Sequence, residues 1–395
     1  MSYAAWVSSS DRALTMAASQ IRLIQAVSPT NADSELASLE QAFRRGVERL
    51  PRWQYDPRPV PPELPRALEE LATFLEKEPP LGPIYAARAR ELCLEASLVA
   101  ATGTPRLTAM ARQRFLGTSS AADEDTHKAD ELASAWTSGV DQAAPVSTRG
   151  EAREPPIRSC AASDPRSLLA RMANEVGRKR LAVRVFAQAG MASLAATGDG
   201  VILVAQNKWL MRRDVERTVL HEIEGHALPR ARAARAPLAI FAVGTARGID
   251  DQEGRAIAIE EKAGFLDKAR KFELGCRHIA ARATLEAANF TEVVATLRAR
   301  GATLEAALRI AARVQRGSNG VGGLAREVVY LPARCKLDRL LEGPNGRKIE
   351  EVMRGGRVAA DIALDLAAAL SNERGEGGHF RFLEHTAKAV SNAAR

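Results

Sequence analysis

The chain has 395 residues, of which 46% are hydrophobic and 26% charged, and this balance predicts a globular protein with a large core. Its longest clean apolar run, APLAIFAV at 236–243, is far shorter than the roughly 20 residues that cross a bilayer, so no membrane span is expected. The opening, MSYAAWVSSSDRALTM, lacks a secretory pattern, which predicts a cytoplasmic protein. Its four scattered cysteines form no C-x-x-C pair, so the sequence indicates neither a disulfide framework nor a cysteine zinc site.

The net charge of +8 is compatible with a polyanionic partner such as nucleic acid or an acidic peptide tail. The arginines, however, are spread through alanine-rich helical segments such as RHIAARA and RIAARVQR, without interleaved aromatic residues. This pattern predicts a solvated helical face rather than a nucleic-acid site.

The chain divides into three regions by composition. Apolar residues at intervals of three and four predict an N-terminal helical region over 1–116, interrupted by an extended, proline-rich connector at 56–65. Residues 117–165 are rich in serine, alanine, proline and charge, which predicts a low-order linker or insert. Residues 166–395 form the third region, and it carries the motifs described below.

The third region begins with short, β-branched runs. Those at 180–190, 191–200 and 201–207 predict a small mixed sheet, with a hairpin turn at Gly198-Asp199-Gly200. Helical patterns follow from Asp214 to about His226, over 251–266, and through most of 281–316 and 357–371, and EVVYL at 327–331 is predicted to be a strand. The predicted fold class is α+β, predominantly α-helical, with a small mixed β-sheet and an N-terminal helical region.

Residues 221–230, HEIEGHALPR, hold two histidines five positions apart. In a straight α-helix, His221 and His226 would point about 140° apart and could not bind one metal ion. A single-turn π-bulge would bring them to one side, and such bulges are frequent at functional sites. Gly225 lacks the side chain that would crowd this distortion. The segment therefore predicts a π-bulged helix with two metal ligands.

A catalytic zinc ion typically takes three protein ligands and one water. Glu253 begins the next helix on the face that carries Ala256 and Ile257, so it is the predicted third ligand; Glu260, on the same face, is the fallback. Asp250 and Asp251 are expected to cap that helix. Glu222 is the predicted general base, because a carboxylate beside a metal-bound water can accept its proton.

These residues resemble a known family. VLHEIEGHAL, APLAIFAVG and DQEGRA are similar to segments of the microtubule-associated tyrosine carboxypeptidase family, whose bacterial relatives are known as QEGLA-motif proteins and whose mark is an H-E-x-x-x-H helix. PRWQYDP, earlier in the chain, and REVVYLPARCKL, later in it, also resemble family segments that occur in the same order. The resemblance implies a zincin-like catalytic core over 166–395 with one Zn²⁺ on His221, His226 and Glu253, and Glu222 as the catalytic glutamate.

Three positions depart from the family pattern. Arg255 stands where Q-E-G-L-A has leucine, Glu224 stands where relatives commonly have a small residue, and Pro229 displaces the expected arginine, which Arg230 replaces with a shift of one residue. The metal and base positions are intact. The departures therefore bear on the substrate pocket more than on the chemistry.

The resemblance implies a zinc metallocarboxypeptidase that removes a C-terminal aromatic residue, tyrosine or phenylalanine, from a protein or peptide. Such an enzyme needs a cation for the terminal carboxylate, and Arg230, Arg334 and Lys336 are the candidates. Tyr330 is a candidate donor to the developing oxyanion. The strand predicted at 201–205 would bind the substrate backbone as an edge strand.

Two further interpretations stay open. The alternative function is a non-catalytic, zinc-stabilised regulatory protein of the QEGLA-motif type, because the bacterial relatives' name associates them with modulation of flavohaemoglobin expression. A basic nucleic-acid adaptor is the third hypothesis, and it predicts binding that weakens steeply with salt. The resemblance rests on the catalytic framework and so implies no microtubule partner.

Overall fold

The computed structural model describes residues 5–117, 124–138, 155–161, 163–191, 193–198 and 200–372. Its described part is mainly helical, with short strands in two small sheets, which confirms the predicted predominantly α-helical α+β class. The helices that precede the sheets are α1 (Ala5–Gln20), α2 (Leu23–Val27), α3 (Ala32–Arg44), α4 (Leu64–Leu75), α5 (Gly82–Ala100), α6 (Arg106–Leu116) and α7 (Glu124–Thr137). The predicted extended connector at 56–65 has no regular secondary structure as far as Pro61, and a turn at 62–63 leads into α4.

Five short strands follow in the described chain, and one further helix lies between the first two of them. In chain order they are β1 (Ile157–Arg158), α8 (Leu168–Arg178), β2 (Arg184–Gln188), β3 (Ala195–Gly198), β4 (Val201–Ala205) and β5 (Trp209–Leu210). The larger sheet has the order β2-β4-β3: β2 pairs with β4 in parallel and β3 pairs with β4 antiparallel, so the predicted mixed sheet is confirmed. Gly198 lies opposite Val201, as expected of a hairpin; Asp199 lies outside the described residues.

Helices make up the remainder of the described chain. They are α9 (Arg212–Leu220), a π-helical segment (His221–Ala227), α10 (Leu228–Ala233), α11 (Ile240–Val243), α12 (Gly248–Lys262), α13 (Lys268–Leu285), α14 (Phe290–Ala299), α15 (Leu304–Val314), a 3-10 turn (Arg326–Val329), α16 (Tyr330–Leu341), α17 (Gly346–Arg354), a 3-10 turn (Ala360–Ile362) and α18 (Ala363–Asn372). Local signals begin several of them: Asn289 and Glu292 form a reciprocal capping box at the start of α14.

The strand predicted for EVVYL is wrong. These residues form the 3-10 turn and the start of α16, after Ala325, which has a left-handed φ of 49°. A short, fully apolar run is equally compatible with a buried strand and a buried helix. Here it is buried in a helical core, and Val328 and Leu331 are each 1% exposed.

The linker predicted for 117–165 is wrong for residues 124–138. They include α7, which packs on α13: Ala129 and Ala133 are fully buried, and Asp130 accepts a hydrogen bond from His278 at 2.7 Å. Small residues form most of the buried stripe of α7, because Gly275 of α13 lets the two helices approach closely. Residues 118–123, 139–154 and 162 of the predicted linker lie outside the described residues.

Two large apolar clusters draw residues from both ends of the chain. One joins Val27, Leu39 and Phe115 to Phe290 and Leu331, and the other joins α1, α4 and α5 to α11, α17 and α18. The boundaries at 116 and 166 stay predictions, but the residues on either side of them share these cores. A third, smaller cluster holds the mixed sheet against α8, α9 and the π-helical segment.

None of the helices in the described ranges combines the length and the apolar character that crossing a membrane requires.

Candidate metal centre

The predicted π-bulge is present. The helix that starts as α9 changes to π-helical geometry from His221 to Ala227 and returns to α-helical geometry in α10. Gly225 faces α12, and a Cβ added to it would lie 2.7 Å from the Cβ of Ala256. The glycine therefore permits close contact between the π-helical segment and α12, the helix that carries Glu253.

The three predicted ligands converge. Nε2 of His226 lies 3.3 Å from Nε2 of His221. Oε2 of Glu253 lies 3.6 Å from Nε2 of His221 and 3.8 Å from Nε2 of His226. One ligand atom from each residue lies within 4.8 Å of the other two. Tetrahedral zinc with ligand bonds of about 2.0 to 2.2 Å places its donor atoms about 3.3 to 3.6 Å apart. The donor set, two imidazoles and a carboxylate, therefore fits zinc in both chemistry and spacing.

Glu260, the predicted fallback ligand, contacts the opposite nitrogen of His221. The Nδ1 of His221 donates to Oε1 of Glu260 at 2.6 Å, and this leaves the lone pair of Nε2 directed at the ligand cluster. Arg270 donates to both oxygens of Glu260, at 2.8 and 3.0 Å. Burial acts to raise the pKa of Glu260, but the hydrogen bond from His221 and the charge of Arg270 lower it to about 2. Glu260 is thus an ionised group that orients a ligand.

The carboxylates also control the protonation of the ligands. Burial disfavours the charged form of His221, but Glu253 and Glu260 raise its pKa to about 9; burial lowers the pKa of His226. Burial likewise opposes ionisation of Glu253, yet both histidines and Arg326 hold its pKa well below its ordinary range. The site therefore attracts positive charge, which either a proton or a metal cation can supply.

Glu222 lies on the same π-helical segment as the two histidines. Its Oε2 accepts a hydrogen bond of 2.7 Å from the hydroxyl of Thr197, which belongs to β3. The Glu222 residue is 6% exposed, so the sheet holds a nearly buried carboxylate next to the ligand cluster.

Tyr330 is close enough to the ligand cluster for Glu253 to affect its ionisation. Burial first, and then the negative charge of Glu253, raise the pKa of Tyr330. Arg313 donates to the phenol oxygen at 3.4 Å. Because a guanidinium can only donate, the Tyr330 proton is not used in that bond.

The predicted carboxylate-binding residues have other contacts. Arg334 pairs with Glu261 and Asp338, while Lys336 lies 2.7 Å from the buried Asp251 and 3.7 Å from Asp361. Arg230 lies half-buried in α10. The pairing of Arg334 and Lys336 gives a substrate role no support, and that role stays a prediction for all three residues.

The expectation that Asp250 and Asp251 cap a helix is wrong. Helix α12 begins earlier, at Gly248, and its N-cap, Arg247, makes no side-chain capping bond. Asp250 instead accepts from Arg114 at 2.8 Å, and Asp251 accepts from the backbone N–H of Ala360 at 2.8 Å. Both aspartates link α12 to other elements.

The three departures from the family pattern have local contacts. Nη1 of Arg255 donates to the backbone oxygen of Glu224 at 3.1 Å, within the π-helical segment. The side chain of Glu224 lies 2.7 Å from Lys179. Pro229 falls in the first turn of α10, where a missing N–H costs least.

A family model described as microtubule-associated tyrosine carboxypeptidase matches residues 40–362. The chain belongs to this family. The resemblance read from VLHEIEGHAL and DQEGRA is confirmed, and the matched range contains every candidate ligand. Family membership implies a function related to tyrosine carboxypeptidases, with a protein substrate. No curated protein matches the chain.

Sequence reasoning missed several residues of this family member's centre. Thr197, Arg270 and Arg326 each contact a predicted site residue, but they come from β3, α13 and the 3-10 turn before α16. The only signal for Arg326 was its position in REVVYL, a segment already noted for its resemblance. The predicted solvated face is wrong for Arg313 and Arg316, since both pair with Glu327, which is 1% exposed.

Proposed function

We propose that the chain is a zinc-dependent metallocarboxypeptidase that removes a C-terminal aromatic residue, tyrosine or phenylalanine, from a protein or peptide. One observation carries the proposal: the ligand atoms of His221, His226 and Glu253 converge beside Glu222 in a chain of the tyrosine carboxypeptidase family. Two histidines and one glutamate are a donor set used by zinc peptidases.

A bound zinc ion would supply Lewis acidity to the scissile carbonyl and acidify water. Glu222 is the proton carrier in this proposal. Its carboxylate takes a proton from the attacking water and delivers it to the leaving amine. The hydroxyl of Thr197, 2.7 Å from Oε2, holds the carboxylate in one orientation during both transfers.

Tyr330 supports the same reaction by donating a hydrogen bond to the oxyanion that develops from the scissile carbonyl. Its raised pKa keeps the phenol protonated, and Arg313 approaches the oxygen from another direction. Both features leave the O–H available to the substrate.

The substrate backbone binds along β3 in this proposal, not along the strand at 201–205 that the sequence suggested. Strand β4 (Val201–Ala205) is the central strand, with β2 and β3 on its two sides, so its backbone groups are already paired. Strand β3 is an edge strand and carries Thr197, which contacts Glu222. An extended peptide can add to such an edge through main-chain hydrogen bonds.

Metal content and peptide cleavage test the proposal together. We expect one zinc ion per chain, lost in His226→Ala, and release of the last residue from peptides that end in Tyr or Phe. Glu222→Gln should keep the zinc and lose at least about a hundredfold in kcat, because general acid–base catalysis contributes that much or more. Zinc without release of any terminal residue would favour the regulatory alternative, and absence of zinc would remove both.

A further inference from the structure

A carboxypeptidase must recognise the free carboxylate at the end of its substrate, and the inference below rests on the proposed function. Two of the three cations predicted for this task, Arg334 and Lys336, pair with carboxylates that are not predicted metal ligands. A different cation therefore has to be sought close to the ligand cluster.

Arg326 has the required position. Its Nη2 lies 3.1 Å from Oε1 of Glu253, while Oε2 of the same carboxylate faces both histidines. Consecutive residues are 3.8 Å apart along a chain, so the terminal carboxylate lies about one residue from the bond that is cut. The carboxylate of Glu253 separates the Arg326 guanidinium from the two histidines, so the guanidinium lies about as far from the metal ligands as a terminal carboxylate would lie from the bond that is cut.

Arg326 also has unused donors. A guanidinium has five N–H donors, and among the described residues Glu253 is the one hydrogen-bond and ion-pair partner of Arg326. Within the described part of the chain, the other nitrogens of the Arg326 side chain are not buried without a partner, and the side chain is 17% exposed. The edge of the guanidinium that does not contact Glu253 is thus accessible to a ligand.

The surrounding charge favours an anion once a metal ion is bound. Five arginines, Arg270, Arg277, Arg313, Arg316 and Arg326, pair with four carboxylates, Glu253, Glu260, Glu273 and Glu327. The nearly buried Glu222 adds a fifth negative charge, so the group is neutral before a metal ion binds. A bound zinc ion would leave an excess of positive charge, and this excess would stabilise an incoming carboxylate.

We infer that Arg326 binds the C-terminal carboxylate of the substrate through the free edge of its guanidinium, while its bond to Glu253 holds it next to the metal ligands. Arginine suits this task because its planar fork matches a carboxylate in bidentate geometry. The terminal carboxylate would then supply part of the negative charge that balances the zinc-loaded site.

The test compares binding of 3-phenylpropanoate and 3-phenylpropanamide to the zinc-loaded full chain by calorimetry. The two ligands share an aromatic ring and differ in the carboxylate, and neither contains a peptide bond. The wild type should prefer the acid by about 10- to 100-fold, the range of a charge-assisted hydrogen bond, and Arg326→Gln should reduce the preference to about threefold or less. An unchanged preference in Arg326→Gln, or no preference in the wild type, would overturn the assignment.

Arg326→Lys covers the case in which the glutamine variant loses zinc. It keeps a positive charge beside Glu253 and should keep the metal, but an ammonium cannot reproduce the fork, so the preference should fall about threefold to tenfold. A zinc-loaded lysine variant with the full preference would show that Arg326 only positions Glu253. Arg309→Gln, which removes an exposed arginine of α15, is the matched control and should behave as the wild type.

Turnover of a peptide ending in tyrosine separates this inference from the proposed function. Cleavage by the wild type, together with an acid preference that Arg326→Gln leaves intact, would refute the assignment of Arg326 alone. An acid preference that depends on Arg326 without any cleavage would refute the carboxypeptidase and keep the carboxylate site. Loss of the preference in Arg334→Gln or Lys336→Gln, and not in Arg326→Gln, would transfer the role to those residues.

Discussion

At the scale of single residues, Glu260 accepts a hydrogen bond from Nδ1 of His221 and so leaves Nε2 as the ring nitrogen that can bind a metal ion. The Glu260→Gln variant keeps the shape but loses the charge that holds both His221 and Arg270. We expect its zinc affinity to fall about 10- to 100-fold, the usual effect of removing such a partner, without unfolding. Competition with a chelator measures this. The neighbouring Glu261→Gln, on a more exposed side chain, should bind zinc as the wild type does, and equal losses in both variants would contradict the role of Glu260.

Thr197 is the corresponding partner of Glu222. In Thr197→Val a methyl group replaces the hydroxyl that donates to Oε2, so Glu222, the proposed general base, loses its orientation. We expect kcat to fall about tenfold with unchanged zinc content, because hydrogen bonds to charged groups are worth roughly 1.5 to 3 kcal/mol. Steady-state kinetics on a peptide ending in tyrosine measures this. Thr197→Ser keeps the hydroxyl and should restore most of the rate; a serine variant as slow as the valine variant would contradict the idea.

At the scale of elements, the contact between the π-helical segment and α12 depends on Gly225. In Gly225→Ala the new Cβ would lie 2.7 Å from that of Ala256, so α12 must move, and Glu253 moves with it. We expect a loss of about 1 to 3 kcal/mol in the free energy of unfolding, together with weaker zinc binding. Gly177→Ala in α8, where nothing lies within 4 Å, should instead stabilise by about 0.5 to 1 kcal/mol. Urea denaturation compares them, and similar effects would refute the close contact.

Ion pairs of Glu327 with Arg313 and Arg316 hold the 3-10 turn before α16 against the end of α15. Burial opposes its ionisation, but Arg316 and Arg313 lower its pKa below the ordinary 4.5. A lowered pKa stabilises the folded state fully above the ordinary value and loses that effect as pH falls below it. Glu327→Gln should therefore lose about 3 kcal/mol of unfolding free energy at pH 7, and this deficit should shrink below pH 4.5.

Denaturation at several pH values measures the Glu327→Gln deficit. Glu305→Gln, which breaks an exposed pair with Arg309, should cost less than about 1 kcal/mol at any pH. A deficit for Glu327→Gln that does not change with pH would contradict the assigned ionisation.

At the scale of the whole molecule, the shared cores predict cooperative unfolding. Phe115 and Val27 pack in the same cluster as Phe290, and Arg114 pairs with Asp250 across the same interface. Calorimetry of the full chain should therefore show a single unfolding transition, shifted upward by zinc. Two separate transitions, one of them unaffected by zinc, would instead support an independent N-terminal domain.

The candidate site could be predicted from the sequence where the residues concerned lie on one helix or at the start of the next. The convergence of His221 and His226 followed from their spacing together with the predicted π-bulge, and Glu253 followed from its position on the next apolar face. The partners of these residues could not be predicted, because Thr197, Arg270 and Arg326 reach the site from elements whose packing no local pattern specifies. For the same reason, α7 and the helical form of EVVYL were missed: tertiary burial decides both.

The loop before Arg326 has a consequence for protein engineering. Gly317, Gly320, Gly322 and Gly323 all have positive φ, and added Cβ atoms would meet Val27, Leu107, Pro51, Thr108 and Gln315 at 2.9 Å or less. Helix α2, Pro51 after α3, and α6 thus pack closely against this loop and leave no room for side chains at its glycines. A transplant of the π-helical segment and α12 alone would leave the loop before Arg326 without these contacts, so the smallest portable unit of the candidate site begins at α2.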